Sequence, residues 1–197
     1  MFFDPLLYGF VFLGLFTPGP NVIMLTASGA RFGFLRTLPH LFGVVVGVGI
    51  TAGVTAMGVG AAVQASSLLN LLLRLGAGGF ILWMAWGLWQ ASSKPRKAAD
   101  PDDKPLSFFG AVLFQWINPK VWAVAFAASA GYGAGQEAWF EAARLATAFS
   151  SLNLMVCLFW TAAGSLLTAL LAAPTAWKVF LRIMAVLLAV TTLLIFR

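Results

Sequence analysis

The chain has 197 residues, of which 61% are hydrophobic and only 9% are charged, and its mean hydropathy is +0.93. This composition excludes an ordinary soluble domain, because so much apolar surface cannot be covered within one small core. The formal net charge of +6 indicates membrane topology and contact with anionic lipids, and it is no indication of a nucleic-acid partner.

Six apolar segments of membrane-spanning length follow one another along the chain. A hydrocarbon core of roughly 30 Å requires about 20 helical residues. We therefore predict an all-α integral membrane protein with six transmembrane helices. The predicted spans are residues 5–28, 38–61, 68–91, 106–129, 145–171 and 176–196.

A charged, proline-containing linker at residues 92–105 divides these spans into two groups of three. Because three is odd, the two halves, residues 1–91 and 106–197, enter the membrane from opposite sides, as in an inverted-topology repeat. Weak self-similarity supports this arrangement, since a shift of about 99 residues aligns Pro20 with Pro119. We expect one membrane domain made of two inverted three-helix repeats.

The distribution of lysine and arginine predicts the orientation. The first, third and fifth connections lie on one side and carry seven basic residues, namely Arg31, Arg36, Lys94, Arg96, Lys97, Lys104 and Lys178. The opposite side carries only Arg144 and Arg197. We expect the basic connections in the cytoplasm and both termini outside. Asp4 stands where a cleaved signal peptide would be basic, so we expect no such peptide.

Two proline-containing segments interrupt the first and fourth predicted spans. They are Thr17-Pro18-Gly19-Pro20-Asn21 and Asn118-Pro119-Lys120. A proline removes a helical hydrogen bond, and inside a membrane such a break is tolerated where neighbours or a cavity satisfy the freed backbone groups. Each break lies about 18 Å along its helix, near the bilayer midplane. Matched breaks in two halves indicate the binding site of a transporter.

The two breaks suit a substrate that carries both charges of an amino acid. Free N–H groups and the positive end of a helix dipole favour a carboxylate, whereas unwound carbonyl groups favour an ammonium group. We predict that the eight residues of the two segments bind the substrate. The alternative interpretation is that the prolines are packing kinks.

The motifs along the chain resemble one transporter family. Residues 16–21 (FTPGPN) look like the signature of the LysE-type exporters, the lysine and threonine/homoserine exporter superfamily. Residues 29–33, 73–82 and 118–120 are similar to that family's first loop, third helix and fourth helix. The resemblance implies an exporter of amino acids or close relatives in the bacterial inner membrane, and we expect it to be driven by protons.

Lys120 is the most central ionisable residue of the predicted spans. A charge at mid-membrane is by default a candidate functional group. Lys120 could pair with a substrate carboxylate, carry the coupling proton, or bond helix-end carbonyls as a purely structural group. Asn21 and Asn118 could be ligands or backbone caps.

Four further polar residues are candidates for gating or coupling: His40, Arg74, Asn153 and Arg182. The arginines could instead extend to the membrane interface. His40 could accept a proton near neutral pH or be an interfacial residue, and Asn153 could line a cavity or bond a neighbouring helix. Cys157 is the only cysteine, so neither an internal disulfide nor a metal cluster is expected.

Three classes of function are compatible with six apolar spans. A secondary exporter accounts for the inverted halves and the central breaks. An ion or small-solute channel of similar architecture is the alternative, but the chain lacks a repeated carbonyl filter or a ring of acidic residues. An intramembrane enzyme is not expected, because the Ser, Lys and His residues are scattered. We expect no cofactor, and a homo-oligomer is compatible with the sequence.

Overall fold

The computed structural model describes residues 2–17, 19–58, 67–93, 104–170 and 173–193. These residues form eight α-helices and no β-strand, which confirms the predicted all-α class. The helices are α1 (Pro5–Phe16), α2 (Pro20–Phe32), α3 (Phe34–Ala56), α4 (Ser67–Ser92), α5 (Phe108–Ile117), α6 (Pro119–Tyr132), α7 (Ala138–Leu170) and α8 (Pro174–Leu193).

Prolines begin several of these helices instead of interrupting them. Pro20 and Pro119 are the first residues of α2 and α6. A proline is tolerated there because its missing N–H would have no partner inside the helix anyway. Asp4 caps α1, where its carboxylate accepts a hydrogen bond of 2.9 Å from the backbone N–H of Leu6. Local sequence chemistry thus accounts for where these helices begin.

Two described helices are long and apolar enough to cross a membrane, Phe34–Ala56 and Ala138–Leu167, with mean hydropathies of 1.7 and 1.5. The pair α1 and α2, bent by 57° at its break, would be a third if it is counted as one span. A membrane protein is therefore consistent with these residues. The predicted linker at residues 92–105 and the connection between the second and third predicted spans, residues 62–67, lie largely outside the described residues.

Helix α7 begins at Ala138, well before the predicted start of its span at residue 145. The predicted span starts at residue 145 because the run without charged residues begins only after Arg144. In the structure the side chains of Glu141 and Arg144 form an ion pair of 2.9 Å, and Arg144 also donates to the carbonyl of Tyr132. Each charge is satisfied within the folded chain, so the helix continues through both residues.

Helix α3 is the centre of the molecule and packs against α5 on one side and α7 on the other. Glycines allow both contacts to be close. A Cβ atom on Gly43 would overlap the carbonyl oxygen of Phe108, and one on Gly47 would lie 2.7 Å from Cγ of Gln115. Gly49 faces Ser150 of α7 in the same way. Small residues at a helix interface let the backbones approach, and this approach brings Gln115 into the interior.

The two broken pairs pack across the molecule. The pair α1 and α2 lies mainly on α7, whereas α5 and α6 lie mainly on α3. Helices α4 and α8 pack chiefly on each other. The breaks at residues 17–19 and at Asn118 therefore meet between α3 and α7, where the main apolar core surrounds them.

Candidate functional site

The first break lies between α1 and α2, which end and begin at Phe16 and Pro20. The hydroxyl of Thr17 donates to the carbonyl of Gly14 at 3.0 Å, which holds the end of α1. Gly19 precedes α2 with φ of −168° and has no side chain to cap the helix. That backbone is open to any residue, so any need for glycine at this position is steric. Pro18 lies outside the described residues.

The second break is a single residue, Asn118, which ends α5 and begins α6. Its side-chain oxygen accepts a bond of 3.2 Å from the backbone N–H of Lys120, and it is only 1% exposed. Its amide nitrogen donates to Gln115 at 3.2 Å. Asn118 is thus a helix cap whose side-chain oxygen and nitrogen each have a hydrogen-bond partner.

Lys120 joins the two breaks. Its ammonium group donates to the carbonyl oxygen of Thr17, a residue 103 positions earlier in the chain. Its side chain lies against Gly19, where a Cβ atom would be 2.7 Å from Cδ and 3.0 Å from Nζ. A side chain at position 19 would displace the lysine, so Gly19 leaves the room that Lys120 occupies.

A reciprocal pair of amide hydrogen bonds forms a second link between the breaks. Asn21 donates to Gln115 at 2.9 Å, and Gln115 donates back to Asn21 at 3.1 Å. Gln115 also donates to the carbonyl of Ala111 at 3.0 Å and is fully buried. Sequence reasoning missed Gln115. The available signal was an amide side chain within the otherwise apolar helix FFGAVLFQWI.

A small cavity lies beside these two links. Its volume of about 10 Å³ is about the room that one water molecule needs. Its polar lining includes Asn21, Asn118, Lys120 and Asn153. The other lining residues are Leu15, Gly19, Val22, Leu25, Val121, Val156, Cys157 and Trp160. Six of the predicted site residues therefore lie at or beside one cavity: Thr17, Gly19, Asn21, Asn118, Lys120 and Asn153.

Two hydrogen-bond donors of this cavity have no partner among the described residues. They are the amide nitrogen of Asn153, a residue only 2% exposed, and the indole nitrogen of Trp160. A buried donor without a partner costs about 1–3 kcal/mol. Lys120 lines the same cavity, and N–H donors of this kind are the partners that a carboxylate oxygen accepts from. Trp160 was not identified from the sequence.

The remaining candidates lie elsewhere. His40 is 1% exposed and lines a second, larger cavity, with its Nδ1 3.3 Å from the hydroxyl of Ser28. The guanidinium of Arg182 lies 4.9 Å from the ring centroid of Trp89. This contact joins α8 to α4, away from the breaks. The side chain of Arg74 lies outside the described residues.

Comparison with known proteins identifies related sequences. The family model described as LysE type translocator matches residues 12–196. A cysteine/O-acetylserine efflux protein of Klebsiella pneumoniae is 34% identical over 105 residues, which is 53% of this chain and 52% of the relative. Proteins of the same name from Escherichia coli are 31% identical over 106 residues, with the same coverage. The chain thus spans about half the length of these curated relatives. No solved structure matches the chain.

Proposed function

The chain belongs to the LysE type translocator family, and from this premise we propose that it exports small uncharged amino acids across the bacterial inner membrane. Membership of the family confirms the resemblance seen in the motifs and makes the protein a membrane translocator, not an enzyme. The relatives are named for cysteine and O-acetylserine. Both compounds carry a carboxylate, an ammonium group and a small side chain that is uncharged near neutral pH.

The observation that carries this proposal is the set of donors at the central cavity. Asn153 and Trp160 carry N–H groups without partners among the described residues, and Lys120 lines the same cavity. Charge-assisted hydrogen bonds to a carboxylate are about twice as strong as neutral ones. The rest of the lining is mainly apolar and contains no acidic residue among the described ones, so it favours a short uncharged side chain over a basic one.

Lys120 and Thr17 give this site a way to bind both ends of an amino acid. In the structure the ammonium of Lys120 is held by the Thr17 carbonyl. When a substrate arrives, Lys120 turns to the carboxylate, and the Thr17 carbonyl becomes free to accept from the substrate's ammonium group. One ammonium group thus replaces another at this carbonyl, so the exchange leaves no buried acceptor unpaired.

The structure corresponds to a closed state of this site. A cavity of about 10 Å³ admits one water molecule but no amino acid. Loading therefore requires the helices that line the cavity to separate, and we propose that the α1–α2 pair moves away from α6. The polar contacts described between the two breaks are the Lys120–Thr17 bond and the two bonds of the Asn21–Gln115 pair. All of them are hydrogen bonds that water or a substrate can replace.

The proposed architecture is six spans in two inverted halves, residues 1–91 and 106–197, with both termini outside and proton-driven export. The cross-packing of the helices supports it, because each broken pair lies on the middle helix of the other half. Rocking of one half against the other would open the site to either side in turn. Proton coupling is part of the proposal through the family resemblance.

Counterflow in proteoliposomes tests the proposal. Vesicles that contain the purified chain and unlabelled L-cysteine should accumulate labelled L-cysteine or O-acetylserine transiently and saturably. Labelled lysine and glutamate should accumulate at least tenfold less. Flux that neither saturates nor shows counterflow would instead indicate the channel alternative, and no flux of any amino acid would contradict the proposed function.

A further inference from the structure

The larger cavity, separate from the two breaks, lies at the end of the molecule that carries the basic connections. Its volume is about 510 Å³, within the range of small-molecule binding sites, whereas the central cavity holds one water. Its walls come from α2, α3, α4, α8 and the segment before α5. In this closed state the larger cavity therefore has room for an amino acid.

The charged residues that line this cavity are all basic, and they come from separate parts of the chain. Arg31 lies at the end of α2, and Lys104 lies before α5; the imidazole of His40 in α3 joins them. No acidic side chain is among the described lining residues. The positive charges of Arg31 and Lys104 favour an anionic ligand in this cavity.

His40 adds a specific polar contact to this basic lining. The residue is only 1% exposed, and its Nδ1 lies 3.3 Å from the hydroxyl of Ser28, which also lines the cavity. Its Nε2 has no hydrogen-bond partner among the described residues. A buried polar atom without a partner is unusual in a folded protein, and a ligand in the cavity would satisfy it.

Apolar side chains complete the walls of the cavity, among them Met24, Phe32, Leu88 and Leu181. The guanidinium of Arg31 lies 5.1 Å from the ring centroid of Phe32, which orients it along the wall. Basic groups at one end and apolar walls around them suit an organic molecule with one carboxylate and a small body.

We propose that this cavity is a vestibule in which Arg31, His40 and Lys104 hold the carboxylate of the substrate before it enters the central site. The inference rests on the proposed function and adds a second binding position to it. The same basic lining would also accept the phosphate of a lipid headgroup, so the test must separate the two sources.

Helix α2 connects the vestibule with the central site. Met24, Ser28 and Arg31 line the vestibule, whereas Asn21 and Leu25 line the central cavity. Ser28 lies seven residues beyond Asn21, which corresponds to about 10 Å along the helix. A substrate held at Ser28 is therefore about two turns of helix from the break, and the carboxylate would pass from Arg31 to Lys120 along one helix.

Binding to the full chain in detergent without anionic lipid separates the two positions. Lys120→Met weakens the central site, so the remaining binding of labelled L-cysteine, kept reduced, reports on the vestibule. Adding Arg31→Gln should lower this residual affinity about tenfold, as expected for the loss of a charge-assisted hydrogen bond. Adding Arg36→Gln should change it less than twofold. Arg36 is the matched control, because it lies near the same Phe32 ring, at 5.9 Å, but does not line the cavity.

Transport and a modified ligand provide independent readouts. In proteoliposomes, Arg31→Gln and Lys104→Gln should each raise the KM for L-cysteine supplied on the side of the membrane that carries the basic connections. This rise should be larger than the fall in the maximal rate. L-Cysteine methyl ester, which lacks the carboxylate, should bind equally well to the Arg31→Gln and Arg36→Gln proteins. Arg31 and Lys104 are exposed, so neither substitution should impair folding.

The outcomes distinguish this inference from the proposed function. If Arg31→Gln and Lys104→Gln affect the binding and transport of L-cysteine no more than Arg36→Gln does, while the unmodified chain transports L-cysteine, the vestibule proposal is wrong and the proposed export function is retained. If the unmodified chain neither binds nor transports any amino acid, both are wrong. If Arg31-dependent binding is seen only for phosphatidylglycerol in nanodiscs and never for L-cysteine, the occupant is a lipid headgroup and the vestibule proposal is overturned.

Discussion

The side-chain amides of Asn21 and Gln115, 94 residues apart in sequence, donate to one another at 2.9 and 3.1 Å. Gln115 is fully buried, and Asn118 donates to the same oxygen that accepts from Asn21. One glutamine side chain thereby connects both helix breaks. These bonds link α2 to α5.

Gln115→Leu should destabilise the protein and abolish most transport. The substitution leaves the amides of Asn21 and Asn118 without their partner, and each buried unsatisfied group costs about 1–3 kcal/mol. We expect a fall of several degrees in the unfolding temperature in detergent. The matched control is Gln90→Leu, an exposed glutamine in α4, which should leave both properties nearly unchanged.

A double-mutant cycle checks that the Asn21–Gln115 pair is the cause. Asn21→Leu combined with Gln115→Leu should be less destabilised than the sum of the single variants, by about 1 kcal/mol or more. Additive losses would contradict a direct energetic link between the two amides.

Gly19→Ala should impair transport in a stably folded protein. The backbone at Gly19 is extended and accepts alanine, but the new Cβ would lie 2.7 Å from Cδ of Lys120. The lysine must then move away from the Thr17 carbonyl. We expect at least a tenfold lower rate of counterflow. Gly9→Ala, where a Cβ meets nothing within 4 Å, is the control, and equal activity of the two variants would mean that the position of Lys120 is unimportant.

Lys120→Met distinguishes the three roles of this lysine. If Lys120 binds the carboxylate, the variant should lose substrate affinity in detergent as well as transport, and Lys120→Arg should rescue poorly because a planar guanidinium requires different geometry. If Lys120 carries the coupling proton, Lys120→Met should still bind and exchange substrate but fail to accumulate it. Lys178→Met, an exposed lysine of α8, is the control. Unchanged binding and unchanged proton-driven flux would leave only a structural role.

Asn153→Leu should separate stability from binding. The amide nitrogen of Asn153 is buried and has no partner among the described residues, so an apolar replacement of similar size should keep or raise the unfolding temperature. At the same time it removes a donor from the central cavity, and we expect about tenfold weaker binding of L-cysteine. Ser151→Ala, at an exposed position of the same helix, should change neither quantity. A loss of stability without a loss of affinity would assign Asn153 a packing role.

Cysteine labelling tests the proposed orientation. Single cysteines are introduced in a Cys157→Ser background, and intact spheroplasts are treated with an impermeant maleimide. Cysteines at residues 135–141 should be labelled, whereas cysteines at residues 92–105 should not. Cys157 is the only cysteine of the chain, so in this background all labelling reports on the introduced residue. Strong labelling at residues 92–105 would reverse the orientation, and the basic cavity would then face outside.

The sequence by itself determined the all-α class of the protein and the residues at which two of its helices begin. Pro20 and Pro119 begin helices because a proline has a fixed backbone angle and no N–H group. The length of the apolar runs indicates a membrane protein, however the helices pack against one another. The motifs around both breaks were enough to identify the family. These features are local, since each depends on residues within a few positions of one another.

The tertiary structure alone decided which side chains meet. It joined Gln115 to Asn21, placed Asn153 and Trp160 at the same cavity as Lys120, and separated His40 from all of them. In a helix that is apolar on nearly every face, hydrophobic periodicity does not indicate which face a neighbour will cover. That choice depends on the close approach permitted by the glycines of α3 and on contacts between residues about one hundred positions apart, which no local pattern in the sequence records.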